Sequence, residues 1–395
     1  MLRSQENYDV VIVGGGIVGL AFAALLPATL KIAIIEQQNL EPFQPQENNY
    51  DLRVSAINLA SQKIFQKINA WQTIEQLRIS PFTGMKIWDG SGNGEINFDS
   101  LEMGEAQLGY IIENRVLQTA LLAELQKKSL DIISNVQIQK MTINQQEVKM
   151  QLQNGRELIT KLVVGADGAN SWVREQAGIE LKQWPYYQQA LVTTVKTELP
   201  HHAIARQRFF DNAILAFLPL ADPHYCSIVW STSTDEAKRL SHLNDDDFNN
   251  AITKAFADKL GAVQKLAACK IFPLTMRHAK NYVQHRIALI GDAAHTIHPL
   301  AGQGLNLGLQ DAVCLANIIT SACLKERDVG YIDTLRRYER ARKGDNLLMI
   351  AMMEGFKRLF GAHSGTLIHL RNSGLNFVDR SKLLKNFFMR KAVRE

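Results

Sequence analysis

Three short stretches of this chain set glycines and an acid directly after a β-branched run, where a strand end can hold phosphates or hydroxyl groups. In YDVVIVGGGIVGLAFAALL, Gly14, Gly16 and Gly19 have GxGxxG spacing between a strand over residues 10–13 and an Ala/Leu-rich helix. The first glycine of such a loop makes the tight turn. The second lets backbone approach a pyrophosphate, and the third lets helix and strand pack closely. The helix start then offers free N–H groups to phosphate oxygens. A second strand, KIAIIEQ, ends at Glu36, the right distance along for an acid that hydrogen-bonds an adenosine ribose. These residues predict a bound dinucleotide. Glu36 disfavours a 2′-phosphate in this slot, and NAD and FAD both fit it.

The third stretch, RIALIGDAAHTIHPLAGQGLNLGLQDA, lies at residues 286–312. It puts Asp292 at a strand end, then Gly302 and Gly304 before a long helical pattern. FAD outreaches one βαβ unit, so its flavin end needs a second holding site. Asp292 can accept from ribityl hydroxyls there, and the helix start can stabilise the anionic edge of a reduced flavin. His295 reads as hydrogen bonding within a crowded turn. Between these two stretches lies KLVVGADGANSWVR, with Asp167 and Gly168 at a further strand end. Three such ends in one chain point to one extended cofactor, FAD.

The elements that position these residues are scattered, so the cofactor domain must be discontinuous. An α/β, Rossmann-type domain is expected from residues 1–80, 104–181 and 280–345, with two insertions at 81–103 and 182–279. The second insertion is rich in β-branched and aromatic runs such as QALVTTVKTEL and YCSIVWSTS, which predict a mainly antiparallel sheet covering the flavin. FNNAITKAFADKL within it predicts at least one helix. A substrate would lie between sheet and flavin, and Phe217, Leu218 and Trp230 are either lining or plain core. Residues 346–395 read as helical. The terminal run RSKLLKNFFMRKAVRE could lie on an anionic membrane or a lipid carrier, or pack on its own protein.

Composition agrees with a globular protein of ordinary make-up, with 46% hydrophobic and 21% charged residues over 395 positions. A net charge of +5, without a basic tract interleaved with aromatics, argues against nucleic acid. The four cysteines are widely spaced and show no zinc-ligand pattern, so no metal is expected and the thiols read as reduced, in a cytoplasmic protein. The N-terminus lacks a signal-like apolar region, and no run approaches the ~20 apolar residues of a spanning helix, leaving only peripheral contact at the inner membrane face.

The order and spacing of IVGGGIVGL, GADGANSWVR and GDAAHTIHPLAGQGLN resemble the class A flavoprotein monooxygenases, which share the para-hydroxybenzoate hydroxylase fold. DLRVSAINLAS, GYIIEN and FLPLADPHYCSIVWS narrow the resemblance to ubiquinone-biosynthesis hydroxylases, most of all the 2-polyprenylphenol hydroxylase group. The resemblance implies that Arg53 lies near the pyrophosphate and flavin and that Arg115 faces the cofactor. It places Asp167 near the pyrophosphate and the NAD(P)H approach, and Asp292 at the ribityl chain. Backbone groups of Gly304, Leu305 and Asn306 would meet the flavin pyrimidine. Without the resemblance, Arg53 reads as a surface salt bridge and Arg115 as a helix-surface charge. The implied reaction is NAD(P)H- and O2-dependent hydroxylation of a polyprenylated phenol through a flavin C4a-hydroperoxide, with His298 as the candidate base and Pro299 shaping the flavin wall. The hydroxylase is the favoured reading, with an FAD oxidase or reductase that inserts no oxygen, and a non-catalytic flavoprotein of a biosynthetic complex, as its alternatives; a homo-oligomer is also open.

Overall fold

The computed structural model describes residues 5–46, 49–210, 213–296, 303–360, 365–381 and 385. Its first sheet has eight strands. Val283–Gln284, Ile287–Leu289, Glu157–Gly165, Gln5–Val13, Ile32–Ile35 and Asp131–Ile133 lie side by side, and a hairpin of Ile138–Ile143 and Val148–Leu152 extends from Glu157–Gly165. The five strands from Ile287–Leu289 to Asp131–Ile133 run parallel. Parallel strands are covered on both faces and so read as unbroken apolar runs. Val10, Val11 and Ile12 are accordingly fully buried.

Register decides where the motifs emerge. Val13 pairs with both Ile35 and Gly165, and Gly165 pairs with Leu289. Gly14, Glu36, Ala166–Asp167 and Ile290–Asp292 therefore leave the sheet at one level from one edge, the carboxyl ends of its strands, where open α/β sheets bind ligands.

A second sheet of nine strands holds both stretches that interrupt the first. Its order is His295–Thr296, Lys270–Ala279, Leu181–Thr197, Tyr225–Ser233, Ala213–Pro219, Ile204–Phe210, Gly84–Asp89, Glu95–Asp99, with Val263–Lys265 beside Leu181–Thr197. All its pairings are antiparallel except that of Ile204–Phe210 with Gly84–Asp89. Side chains alternate across it. Leu191, Leu215, Phe217 and Trp230 pack on Phe248, Ile252 and Phe256 around the helix Asp245–Ala255, while Leu218 and Tyr225 pack on the larger core of the first sheet. Phe217 stacks on Phe256 at 3.7 Å. Of the two readings for Phe217 and Trp230, core packing is the one observed.

Helix Gln303–Leu324 is long and apolar enough to cross a membrane, contrary to the expectation that no run approaches this length. It packs against helices Ile17–Leu25 and Ile332–Phe360, with Leu309, Ala312, Leu315 and Ile319 fully buried. The signal was missed because Asn306, Gln310 and Asp311 interrupt its apolar sequence.

The helix Gly365–Arg380 lies along the outermost strand, Glu95–Asp99. Asn376 and Asp379 accept from the backbone N–H groups of Glu95 and Asn97 at 3.2 and 2.8 Å, and Asn372 accepts from Gly94 N–H. Positions i, i+4 and i+7 share one helix face. That face covers an edge otherwise free to pair with other chains. Lys385 extends the clamp to Glu102 at 2.9 Å. Leu383, Leu384, Phe387, Phe388 and the basic residues after them lie outside the described residues. Asn372→Ala should lower stability by about 1–3 kcal/mol, because Gly94 N–H and the buried Asp89 carboxylate, which accepts from Asn372 at 3.1 Å, both lose a partner. Urea denaturation of the two proteins measures it.

Candidate functional site

The first loop is held from within and from both sides. Gly14 sits at φ +112°, and a Cβ there would lie 2.3 Å from Ala166 O. A Cβ on Gly19 would lie 2.1 Å from Gly14 O, so the loop and helix touch backbone to backbone. Glu36 Oε2 accepts from Gly15 N–H at 2.6 Å and its Oε1 from Gln38 N–H at 2.8 Å. Gln118 Nε2, which sequence reasoning missed, donates to Gly15 O at 2.8 Å. Gly16, by contrast, is exposed and caps helix Ile17–Leu25 without any side-chain acceptor, leaving its first N–H groups free.

The second motif is wired to the third. Asp167 Oδ2 accepts from Val173 N–H at 3.0 Å, while its buried Oδ1 has no partner among the described residues. Burial pushes this carboxyl above its ordinary pKa. Arg174, buried, donates to Ala293 O at 2.9 Å and Ala169 O at 3.0 Å, and Arg277 donates to Ala169 O and Asn170 Oδ1 at 2.9 and 2.7 Å. Asp292 is walled in by protein yet open to solvent, as a residue lining a cleft is; burial raises its pKa, and His295, Arg53 and Arg277 pull it down. The charge of Arg53 thus acts on Asp292, and Arg53 has no ion pair of its own among the described residues. Arg115 lies half open, over the Phe43 ring at 4.2 Å and 4.0 Å from Asp51.

Against known proteins, the model of a family described as "FAD binding domain" matches residues 7–348. This chain belongs to the class A flavin monooxygenases. The 3-demethoxyubiquinol 3-hydroxylase of Escherichia coli (strain K12) is 36% identical over 394 residues, covering 99% of each chain. The mitochondrial ubiquinone biosynthesis monooxygenase COQ6 of Homo sapiens is 33% identical over 97% of this chain and 92% of its own length. Among solved structures, Pseudomonas putida p-nitrophenol 4-monooxygenase PnpA superposes with a TM-score of 0.79 at 17% identity, covering 98% of each chain; P. aeruginosa PqsL does so with 0.78 at 20%, covering 94% of this chain and 100% of its own. These two share the fold. The monooxygenase has FAD as its cofactor and NAD(P)H as co-substrate.

The residues present fit FAD. An uncapped helix start at Gly16, an orphaned oxygen on Asp167 and an open Asp292 are each groups awaiting a partner, and all stand along one sheet edge. At the start of helix Gln303–Leu324, Gly304 and Leu305 are partly open. The Asn306 side chain is already engaged, accepting from Asn58 N–H at 3.2 Å and donating to Ala56 O at 2.8 Å, so only its backbone is left for a ligand. His298, Pro299 and Gly302 lie outside the described residues.

Sequence reasoning overlooked the centre that holds this loop. Asp311, fully buried, accepts from Gly291 N–H at 3.2 Å, His295 Nε2 at 2.5 Å, Arg342 Nε at 2.8 Å and Asn346 Nδ2 at 3.2 Å. Burial alone would raise its pKa, but His295 and Arg342 hold it below the ordinary carboxylate range. His295 therefore reaches another element rather than bonding within its own turn, because residues 295–296 leave the loop to pair with Arg277 and His278. One signal was available: Asp311 is an acid inside an apolar helical run.

Proposed function

We propose that this monooxygenase hydroxylates the ring of a polyprenylated phenol in ubiquinone biosynthesis. The balance is phenol, O2, NAD(P)H and a proton giving hydroxyphenol, NAD(P)+ and water. Ubiquinone-biosynthesis relatives support the ring class. The carrying observation is a row of apolar side chains, Val192, Val229 and Ala216, adjacent across three strands of the second sheet. They sit mid-sheet, on the face that bears Leu218, yet remain partly open. Apolar surface left open inside a sheet is a wall for an apolar ligand.

Bound FAD supplies the redox chemistry, drawing a hydride from NAD(P)H and activating oxygen. The chain's residues bind and orient. In this reading Gly14, Gly16, Gly19 and Glu36 hold the ADP half, and Arg53, Arg115, Asp167 and Gly168 flank the pyrophosphate. Asp292 takes the ribityl hydroxyls. Backbone N–H groups of Gly304, Leu305 and Asn306 aim a helix start at the pyrimidine edge, where negative charge grows on reduction. Sheet and cofactor together exclude water from the ring. The first sheet's segments form the cofactor domain and the second sheet the substrate domain. The prenyl tail leaves over the apolar surface of Trp184, Tyr187 and Phe272, all exposed.

Purified FAD-loaded protein supplied with a polyprenylphenol, NAD(P)H and 18O2 should yield a ring product carrying one 18O atom by mass spectrometry. NAD(P)H consumption without label in the ring identifies an oxidase or reductase instead. Absence of phenol-stimulated consumption identifies a non-catalytic flavoprotein.

A further inference from the structure

The wall just described holds one polar side chain with nothing to bond. Gln207 pairs directly with Ala216 on one side and with Ile87 on the other, so the row reads Ile87, Gln207, Ala216, Val229, Val192. Only Gln207 in that row can form side-chain hydrogen bonds. It is 6% exposed, and its amide has no hydrogen-bond partner among the described residues.

Its facing follows from its neighbours. Ala205, two residues earlier on the strand, lies in the core of the cofactor domain, and Phe209, two residues later, packs with Ile214 and Ile87. Arg206, between them, opens instead on the opposite side, onto a cavity of about 160 Å³ with Trp88 and Lys259. The Gln207 face also runs on to the flavin end. Val192 and Ala190 pair with Lys270 and Phe272, and Met276, farther along that strand on the same face, packs with Ile350 and Leu307. Leu307 is one turn beyond Gly304. The helix start aimed at the flavin and Gln207 therefore stand on the same face of the second sheet.

A primary amide covered by a ligand forfeits about 1–3 kcal/mol of hydration unless that ligand restores the bond. A phenol ring carries one such group. We infer that Gln207 is a substrate-positioning residue, its amide hydrogen-bonding the ring oxygen of the phenol while Ala216 and Val229 pack on the ring face and Val192 continues the apolar wall beyond it. The inference rests on the proposed phenolic substrate. It adds the residue that orients the ring so that the carbon to be hydroxylated meets the cofactor.

The test compares wild type with Gln207→Leu, close in volume and unable to hydrogen-bond, using a short-chain prenylphenol and the matching prenylbenzene without ring oxygen. Binding is read from perturbation of the bound flavin spectrum, and coupling from the ratio of hydroxylated product to NAD(P)H consumed. The expected result is a roughly tenfold weaker phenol affinity in Q207L, no change for the prenylbenzene, lower coupling with peroxide release, and unchanged FAD content. Gln207→Asn, which keeps the amide, should recover part of the coupling. Equal phenol affinity in the two proteins overturns the assignment, as does an equal loss for both ligands, which would mark a packing role. Failure of wild type to label the phenol from 18O2 sinks the substrate reading instead, and is distinguished by that arm alone.

Discussion

Asp311→Ala is expected to destabilise the monooxygenase by about 3–5 kcal/mol, because it removes the acceptor from four buried or partly buried donors on three elements. Breaking a buried pair from one side is worse than deleting both partners, since Arg342 would keep its charge without its buried carboxylate. Arg342 Nη2 still reaches Asn346 Oδ1 at 3.0 Å, and Nη1 reaches Asp345 at 3.3 Å, which limits the loss without abolishing it. The consequence for function comes through Gly291 N–H and His295, the two ends of the turn carrying Asp292. Loosening both frees the ribityl-facing acid, so FAD affinity should fall along with stability. Denaturant unfolding of apo and FAD-loaded protein separates the two effects: a variant that loses apo stability but keeps the full FAD-dependent increment has kept its loop. The pH dependence has a definite sign. Because Asp311 is held below its ordinary pKa in the folded protein, its contribution is complete above the unfolded-chain value and fades as pH falls through the folded value. The variant should therefore lose stability mainly at neutral pH and show a flatter acid limb than wild type.

What the sequence revealed and what it hid divide by range. Gly14, Gly16, Gly19 and Glu36 are legible because their chemistry is local: a strand, a turn and a helix within thirty residues suffice to define the loop. Asp167 and Asp292 are legible only as strand ends, and the fact that they align with Gly14 rests on sheet register, which spacing does not record. Arg277, Arg174 and Gln118 were invisible for a stronger reason. Each acts by donating to a backbone carbonyl of a segment about 5–120 residues away, and a carbonyl leaves no mark in sequence. Gln207 belongs to the same class. Inside IARQRFF it looks like an ordinary polar position of an alternating strand, and only the five-strand row exposes it as the one amide among apolar neighbours. The C-terminal region was legible as helix but not in what it covers. Residues 346–395 read only as helical, whereas Asn372, Asn376 and Asp379 show one polar stripe of helix Gly365–Arg380 spent on a sheet edge, and the run that left membrane and protein open, RSKLLKNFFMRKAVRE, lies almost wholly outside the described residues.

Gly14→Ala and Gly16→Ala should fail in different ways, although both glycines belong to one loop. At Gly14 an added methyl meets Ala166 O at 2.3 Å and Asp167 N at 2.8 Å, with the residue held at φ +112°, so strain adds to overlap. Alanine at an incompatible backbone conformation already costs more than about 1 kcal/mol, and here the obstacle is backbone of the second motif, which cannot rotate away. The loop must shift and take Asp167 with it. FAD affinity should drop by at least ~100-fold, about 2.7 kcal/mol, and apo stability should fall too. At Gly16 a Cβ meets nothing within 4 Å of protein, so the apo protein should melt where wild type does. Its loss appears only when a pyrophosphate tries to approach the free N–H groups of helix Ile17–Leu25. Thermal melts of both apo variants, with flavin content after incubation in excess FAD, read the split directly. If Gly16→Ala retains flavin as wild type does, the pyrophosphate does not lie against this helix start, and the assignment of the ADP half to the first loop fails with it.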